Sequence, residues 1–280
     1  MDYRNKQSAS SLPMLALYDE DPSTLAQSIV AFLNTYVGPP FHSAQRTSSA
    51  LDLLRPLSRN IEGVVSIFLR RFWRTFLNLA SQVPHVHEAQ QKLVLLLKDL
   101  NSYSRPNEPQ VKFWNGLPGL QSAINDCWQE PTPYEEDYTP YERWVNLHSF
   151  ASRLYGINLL SGYKLAIKAL RRALEDNESQ DNMTKRCRIK AAAQWMLYSA
   201  GVLFTLMYSR PTENDRQELQ SWRFTGRDVF SVNRWNFWKE RFTYYGTVIG
   251  GEAVAAANSM SRIDGSRPMQ GLGALPYSNY

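Results

Sequence analysis

AAAQWMLYSAGVLFTLMY, residues Ala191 to Tyr208, is the longest largely apolar run in the chain. A basic segment, Lys185, Arg186, Arg188 and Lys190, leads into it, and Arg210-Pro211 stops it. Wound as an α-helix, it carries Ala192, Trp195, Ser199, Val202 and Leu206 along one side. Ala193, Leu197, Ala200, Phe204 and Met207 lie along another. A helix apolar on every face has to be surrounded by other elements. The stretch therefore predicts the central helix of a bundle. The competing reading is a membrane span, which needs about 20 apolar residues. This run is 18 residues long, contains Gln194, Ser199 and Thr205, and has other amphipathic helices to cover it. A buried helix is the better reading, with no membrane contact.

Outward from that run, the pattern is helical throughout. Asp21-Pro22 reads as an N-cap with proline at the first helical position, opening a helix through Leu25, Ile29, Phe32, Leu33 and Tyr36. A short helix is expected over about 44–54, ahead of Pro56. A long one over about 58–82 has an apolar stripe of Val64, Ile67, Phe68, Phe72, Phe76 and Leu79. Arg70, Arg71 and Arg74 lie largely off that stripe, with Trp73 between them. Pro84 opens a helix bearing Ala89, Leu93, Leu96, Leu97 and Leu100. After the turn at Gly116 and Pro118, a helix from about Leu117 carries Leu120, Ile124, Cys127 and Trp128. QEPTPYEEDYTP (129–140) reads as an acidic, proline-rich loop. Thr139-Pro140-Tyr141-Glu142 has the form of a capping box before Trp144, Leu147, His148, Ala151 and Leu154.

A helix over about 161–174 sets Leu165, Ala169 and Leu170 against Lys164, Lys168, Arg171 and Arg172. EDNESQDN (175–182) reads as a surface linker. Past Pro211 a short helix holds Leu219, Trp222 and Phe224. Ser231 caps a helix bearing Trp235, Trp238 and Phe242, and GGEAVAAANSM supplies small residues for close helix approach. No run alternates with period two, so a sheet is not expected. The prediction is an all-α fold: a single bundle of about ten helices over residues 14–263, between polar tails at 1–13 and 264–280.

With 43% hydrophobic residues among 280, the chain can bury a sizeable core. Its 8 Trp, 15 Tyr and 12 Phe are wide, rigid fillers for the spaces between helices. A formal charge of +5, from 31 basic against 26 acidic residues, is no polyanion-binding composition and argues against nucleic acid as a partner. Cys127 and Cys187 lie far apart without CxxC spacing, which fits a reducing compartment, and MDYRNKQSASSLPML has no signal-peptide core. Cytoplasm or nucleus follows.

Five pieces in order, WNGLPGL (114–120), WVNLHSFASRLYG (144–156), AIKALRRALE (166–175), AAAQWMLYSAGVLF (191–204) and WNFWKERF (235–242), resemble a fungal family of helical proteins. That family is known only as a domain of unknown function. The resemblance covers about residues 85–260. It implies an all-helical protein of fungal origin and brings no activity and no site residues.

His85-Val86-His87 is the one close histidine pair, but a metal site needs three or four converging donors, so exposed first-turn histidines are the simpler reading and no metal or cofactor is expected. His148 shares an apolar face with Trp144 and Ala151, as a core or pocket-edge histidine. Cys187 lies among Lys185, Arg186 and Arg188, whose charge would lower its pKa, yet no base accompanies it. Glu135-Glu136-Asp137 sits in a loop without the second acidic motif that metal–diphosphate chemistry needs. Lys185, Arg186, Arg188 and Lys190, with Lys168, Arg171 and Arg172 nearby, form a candidate anion surface, unless their stems merely cover outer helix faces. Trp195, Tyr198, Trp235 and Trp238, with Tyr244, Tyr245, His148 and Arg143, are candidates to line a pocket. With no assembled nucleophile, base or phosphate loop, the leading expectation is a protein acting through its surface on a protein partner, in a regulatory or scaffolding role. The alternative is a pocket inside the bundle that binds or transforms a small apolar metabolite.

Overall fold

The computed structural model describes residues 12, 14–17, 23–38, 65–102, 114–132, 137–176, 181–221, 224 and 229–265. Among them are eleven helices and no strand: α1 (Thr24–Val37), α2 (Val65–Gln82), α3 (Ala89–Ser102), α4 (Leu120–Asp126), α5 (Thr139–Gly156), α6 (Tyr163–Leu174), α7 (Asn182–Tyr198), α8 (Ala200–Leu206), α9 (Glu213–Leu219), α10 (Val232–Val248) and α11 (Gly251–Gly265). The fold is all-α. No described helix is long and apolar enough to cross a membrane.

The apolar run that opens the sequence is helical, but it is two helices. Ser199 adopts φ −137° and ψ 16° and divides α7 from α8. Its Oγ donates to the Trp195 carbonyl at 2.8 Å, a back-bond that competes with the helix ladder and bends it. Ala191 to Met196 are buried on all sides, whereas Gly201, Thr205 and Tyr208 on the α8 side are exposed. The basic lead-in belongs to α7 itself. Enclosure on all faces is shared with α5, in which every residue from Trp144 to Tyr155 is buried. These two helices pack on each other and form the centre. Around them, α2 and α3 flank α5, α6 and α11 flank α7, α1 covers α2 and α3, and α10 pairs with α11.

The close approach of α5 to the bend explains Gly156. A Cβ there would stand 2.2 Å from the Tyr198 carbonyl oxygen, inside any van der Waals contact. The small residues of α11 serve the same end. Ala253, Ala256 and Ala257 are buried, and Ser259 Oγ donates to the Met196 carbonyl on α7 at 2.7 Å.

Several helix boundaries differ from the sequence reading, each for a local reason. The cap of α1 is Ser23, whose Oγ accepts the Ala26 N–H; Asp21 and Pro22 lie outside the described residues, as do 44–54, 58–64, Glu135, Glu136 and Trp222. Pro84 opens a turn, and α3 starts only at Ala89, whose N–H is accepted by His87 Nδ1 at 3.0 Å. Leu117 and Gly119 have φ of 47° and 81°, so α4 cannot begin before Leu120, and Cys127 and Trp128 fall past its end. The expected capping box at Thr139 does not form. Asp137 Oδ1 accepts the Thr139 N–H instead, at 2.9 Å. Ser231 does cap α10, accepting the Arg234 N–H.

Two side chains are placed opposite to expectation. Trp73, flanked in sequence by exposed Arg71 and Arg74, is fully buried, because it continues the face of Leu69, Phe76, Leu77 and Ala80. Its Nε1 donates to the Pro118 carbonyl at 2.7 Å. Ile67, assigned to the apolar stripe, is 49% exposed.

Candidate functional site

The side chains singled out from the sequence fall into separate neighbourhoods. His148 and Trp195 meet: Trp195 Nε1 donates to His148 Nδ1 at 2.9 Å between α7 and α5. Tyr198, half-buried, lies under the Arg153 guanidinium at 3.5 Å from its ring centre. Trp235 packs on Phe204 and donates to Asp264 Oδ1 at 3.0 Å. Trp238 donates to Glu175 Oε1. Tyr245 is buried and Tyr244 is 54% exposed, both beside Arg241. Trp235 and Trp238 therefore do not join His148.

The basic set divides as well. Lys185 stands 5.3 Å over the Tyr245 ring, Arg186 is exposed, and Lys190 lies 3.9 Å from Glu252. Arg188 points the other way, onto Glu130. Cys187 is buried, and burial, followed by the Glu130 charge, pushes its thiol up to about 12 against the smaller pull of Lys190 and Arg188. The expected lowering by neighbouring cations is overturned, because desolvation of a thiolate outweighs charges that are partly in water. The histidines of the α2–α3 turn are engaged rather than exposed: His85 Nε2 meets Glu252 Oε1 at 3.2 Å, and His87 caps α3. Among the described residues no three His, Cys, Asp or Glu side chains converge as a metal site would require.

What the sequence did not show is the company His148 keeps. Its imidazole packs against two adjoining indoles, with ring centres 4.4 Å from Trp128 and 4.3 Å from Trp144. Trp128 reaches it because α4 ends at Asp126 and the chain turns back over α5. An indole N–H can only donate, so Nδ1 must be the unprotonated nitrogen and Nε2 carries the hydrogen. That Nε2–H is buried with no partner among the described residues. Burial, helped by the Arg172 charge, lowers the His148 pKa to about 3, so the ring is neutral in all ordinary conditions.

The same imidazole forms part of the wall of a cleft of about 530 Å³, within the usual range for small-molecule sites. Trp128, Trp144, Leu165, Ala169 and Ala191 give it an apolar lining. The rim is charged, and its two carboxylates each hold two cations. Glu218 of α9 takes Lys164 at 3.0 Å and Lys168 at 2.9 Å, and these contacts lower its pKa to about 2. Glu130 takes Arg172 at 3.3 Å and also Arg188. Helix α6 supplies Lys164, Lys168 and Arg172 because its basic positions recur at four along one edge, while Ala166, Ile167 and Leu170 turn inward. The arrangement is a half-open slot of mixed polar and apolar lining, with His148 in its wall and cations on its rim.

A second polar cluster was also missed. Glu175, read as the start of a surface linker, is fully buried at the end of α6. Arg234 of α10 grips it with Nε at 2.8 Å and Nη2 at 2.9 Å, and gives further hydrogen bonds to the Val229 and Leu219 carbonyls. Trp238 Nε1 completes the set. With its groups used on the protein, this cluster has a structural role. The legible signal was Arg234 itself, which shares the Trp238–Phe242 face at spacing four.

Among families of known proteins, the one described as "Protein of unknown function (DUF3632)" matches residues 73–242, and the chain belongs to it. No curated protein and no solved structure matches it significantly.

Proposed function

We propose that this family member binds a small organic molecule in the cleft walled by α4, α5, α6 and α7. One observation carries the reading: the buried Nε2–H of His148, which has no acceptor among the described residues, on a residue that lines the cleft. A buried donor left without a partner costs about 1–3 kcal/mol. A ligand that brings an acceptor to it recovers that cost, which is how a few placed polar groups orient a ligand in an apolar site. The neutral ring serves as a donor and not as a base, so recognition is a better account of it than proton transfer.

The test is native mass spectrometry of the protein after exposure to a metabolite extract of its source organism. The wild type retains a compound at one per chain, and the cleft-filling variant Ala169→Trp, shown folded by circular dichroism, loses it. Identical bound masses on both proteins overturn the proposal.

A surface role has one observation in its favour. Tyr244, Val248 and Val254 are 54%, 63% and 43% exposed on α10 and α11, an apolar group suited to a protein partner. Pull-down with Val248→Lys tests it, and undiminished capture by the variant rules that face out. The unpaired cysteines support a cytoplasmic or nuclear setting.

A further inference from the structure

We infer, resting on the cleft as a binding site, that its ligand is a small amphipathic carboxylate. Its planar apolar body lies on Trp128 and Trp144, and its acid group lies at the Arg172–Arg188 side of the mouth. The charge distribution leads to this. At one side Lys164 and Lys168 share Glu218, Lys164 is also 3.9 Å from Asp215, and Arg171 is engaged on the Glu218 and Gln220 carbonyls. Arg172 and Arg188 share Glu130, and among the described residues no second carboxylate pairs with either. Among the described residues one positive charge there thus lacks a carboxylate counterpart, and it cannot be shed, because guanidinium stays protonated.

The position of that charge matters as much as its sign. Arg172 lines the same cleft as His148, and its own side chain is 43% exposed. An incoming carboxylate thus meets a hydrated cation without first breaking a buried contact. Trp128, Trp144, Leu165, Ala169 and Ala191 supply the indole and aliphatic part of the lining. Trp128 and Trp144 have ring centres 5.3 Å apart at 58°, an aromatic wall for a flat body, with Gln121, Asn125, Ser161 and Tyr163 also on the lining. A cationic ligand is disfavoured at the Arg172 end, and a neutral one leaves the extra charge as it was.

The probes are 6-methoxy-2-naphthoate and its uncharged amide, titrated against the intact chain with tryptophan fluorescence as readout. The wild type binds the acid about tenfold tighter than the amide, the size of one charge-assisted contact. Added salt narrows the gap. In Arg172→Glu the preference for the acid vanishes while the amide still binds. Arg172→Gln, the milder change, gives an intermediate ratio, and thermal melts confirm that both variants fold. Equal affinity for acid and amide in the wild type, with both lost in Ala169→Trp, overturns the carboxylate assignment and leaves the cleft standing. Binding of neither probe at millimolar concentration also overturns it, and the mass-spectrometric comparison then decides the cleft separately.

Discussion

Holding His148 neutral and buried makes the protein weaker in mild acid, by an amount that follows from one proton. The unfolded chain takes up a proton at this histidine around 6.5, whereas burial, and then Arg172, hold the native ring down to about 3. Between those values the unfolded state binds more protons, so stability falls as pH falls, by about 1.4 kcal/mol per pH unit at the limiting slope. From about pH 7 to about pH 5 the loss integrates to about 2 kcal/mol for this one group. His148→Gln removes the titration, keeps an oxygen for the Trp195 N–H and keeps an amide where Nε2 stood. Urea unfolding of both proteins at the two pH values isolates the effect, since every other titrating group is common to them. Wild type loses about 2 kcal/mol more than the variant on acidification. Parallel losses in the two proteins would show that the ring is already charged or reachable by water in the native state, and would refute the reasoning.

Gly156→Ala forces a methyl group against the Tyr198 carbonyl and is expected to cost about 1–3 kcal/mol, read as a lower urea midpoint; an unchanged midpoint would mean that α5 and the α7–α8 bend separate easily. Glu175→Gln leaves Arg234 charged and buried without its counter-ion, a loss of about 3–5 kcal/mol by the same assay. Replacing the pair together, Glu175→Leu with Arg234→Met, costs less than the two single changes summed, and strict additivity would contradict a coupled pair. Asp181→Ala removes the side chain that accepts both the Met183 and Thr184 N–H groups at 2.9 Å. It lowers stability by about 1 kcal/mol, and a neutral result would show that α7 starts without its cap.

The all-helical fold was legible because periodicity is a local property. The Ser231 cap, the Trp235–Trp238–Phe242 face and the small residues of α11 each rest on spacings within one helix, and each is present as read. The misplaced residues are those whose fate depends on a partner distant in sequence. Trp73 was set apart by its arginine neighbours although it continues a buried face, and only the approach of Pro118 gives its N–H an acceptor. Glu175 looked like linker because the Arg234 that buries it lies 59 residues away. The pocket candidates were chosen as aromatics on apolar helices, which picked His148 and Trp195 together with Trp235 and Trp238, which lie elsewhere. Trp128 reads in the sequence as one more residue of the α4 face, since nothing there says that the chain after α4 folds back onto α5. The rim cations were in view as basic residues, but their pairing two to a carboxylate is a tertiary fact.

The central claim is that the Nε2–H of His148 is the donor a ligand comes to meet. The most direct measurement is the long-range ¹H–¹⁵N spectrum of the imidazole in protein labelled at histidine. It is recorded without and with the compound that the wild type retains in the mass-spectrometric experiment. The account predicts a neutral ring protonated at Nε2, whose Nε2 resonance moves on binding while Nδ1, held by Trp195, stays in place. A ring protonated at Nδ1, or two nitrogen signals that do not move when the compound is bound, would contradict it.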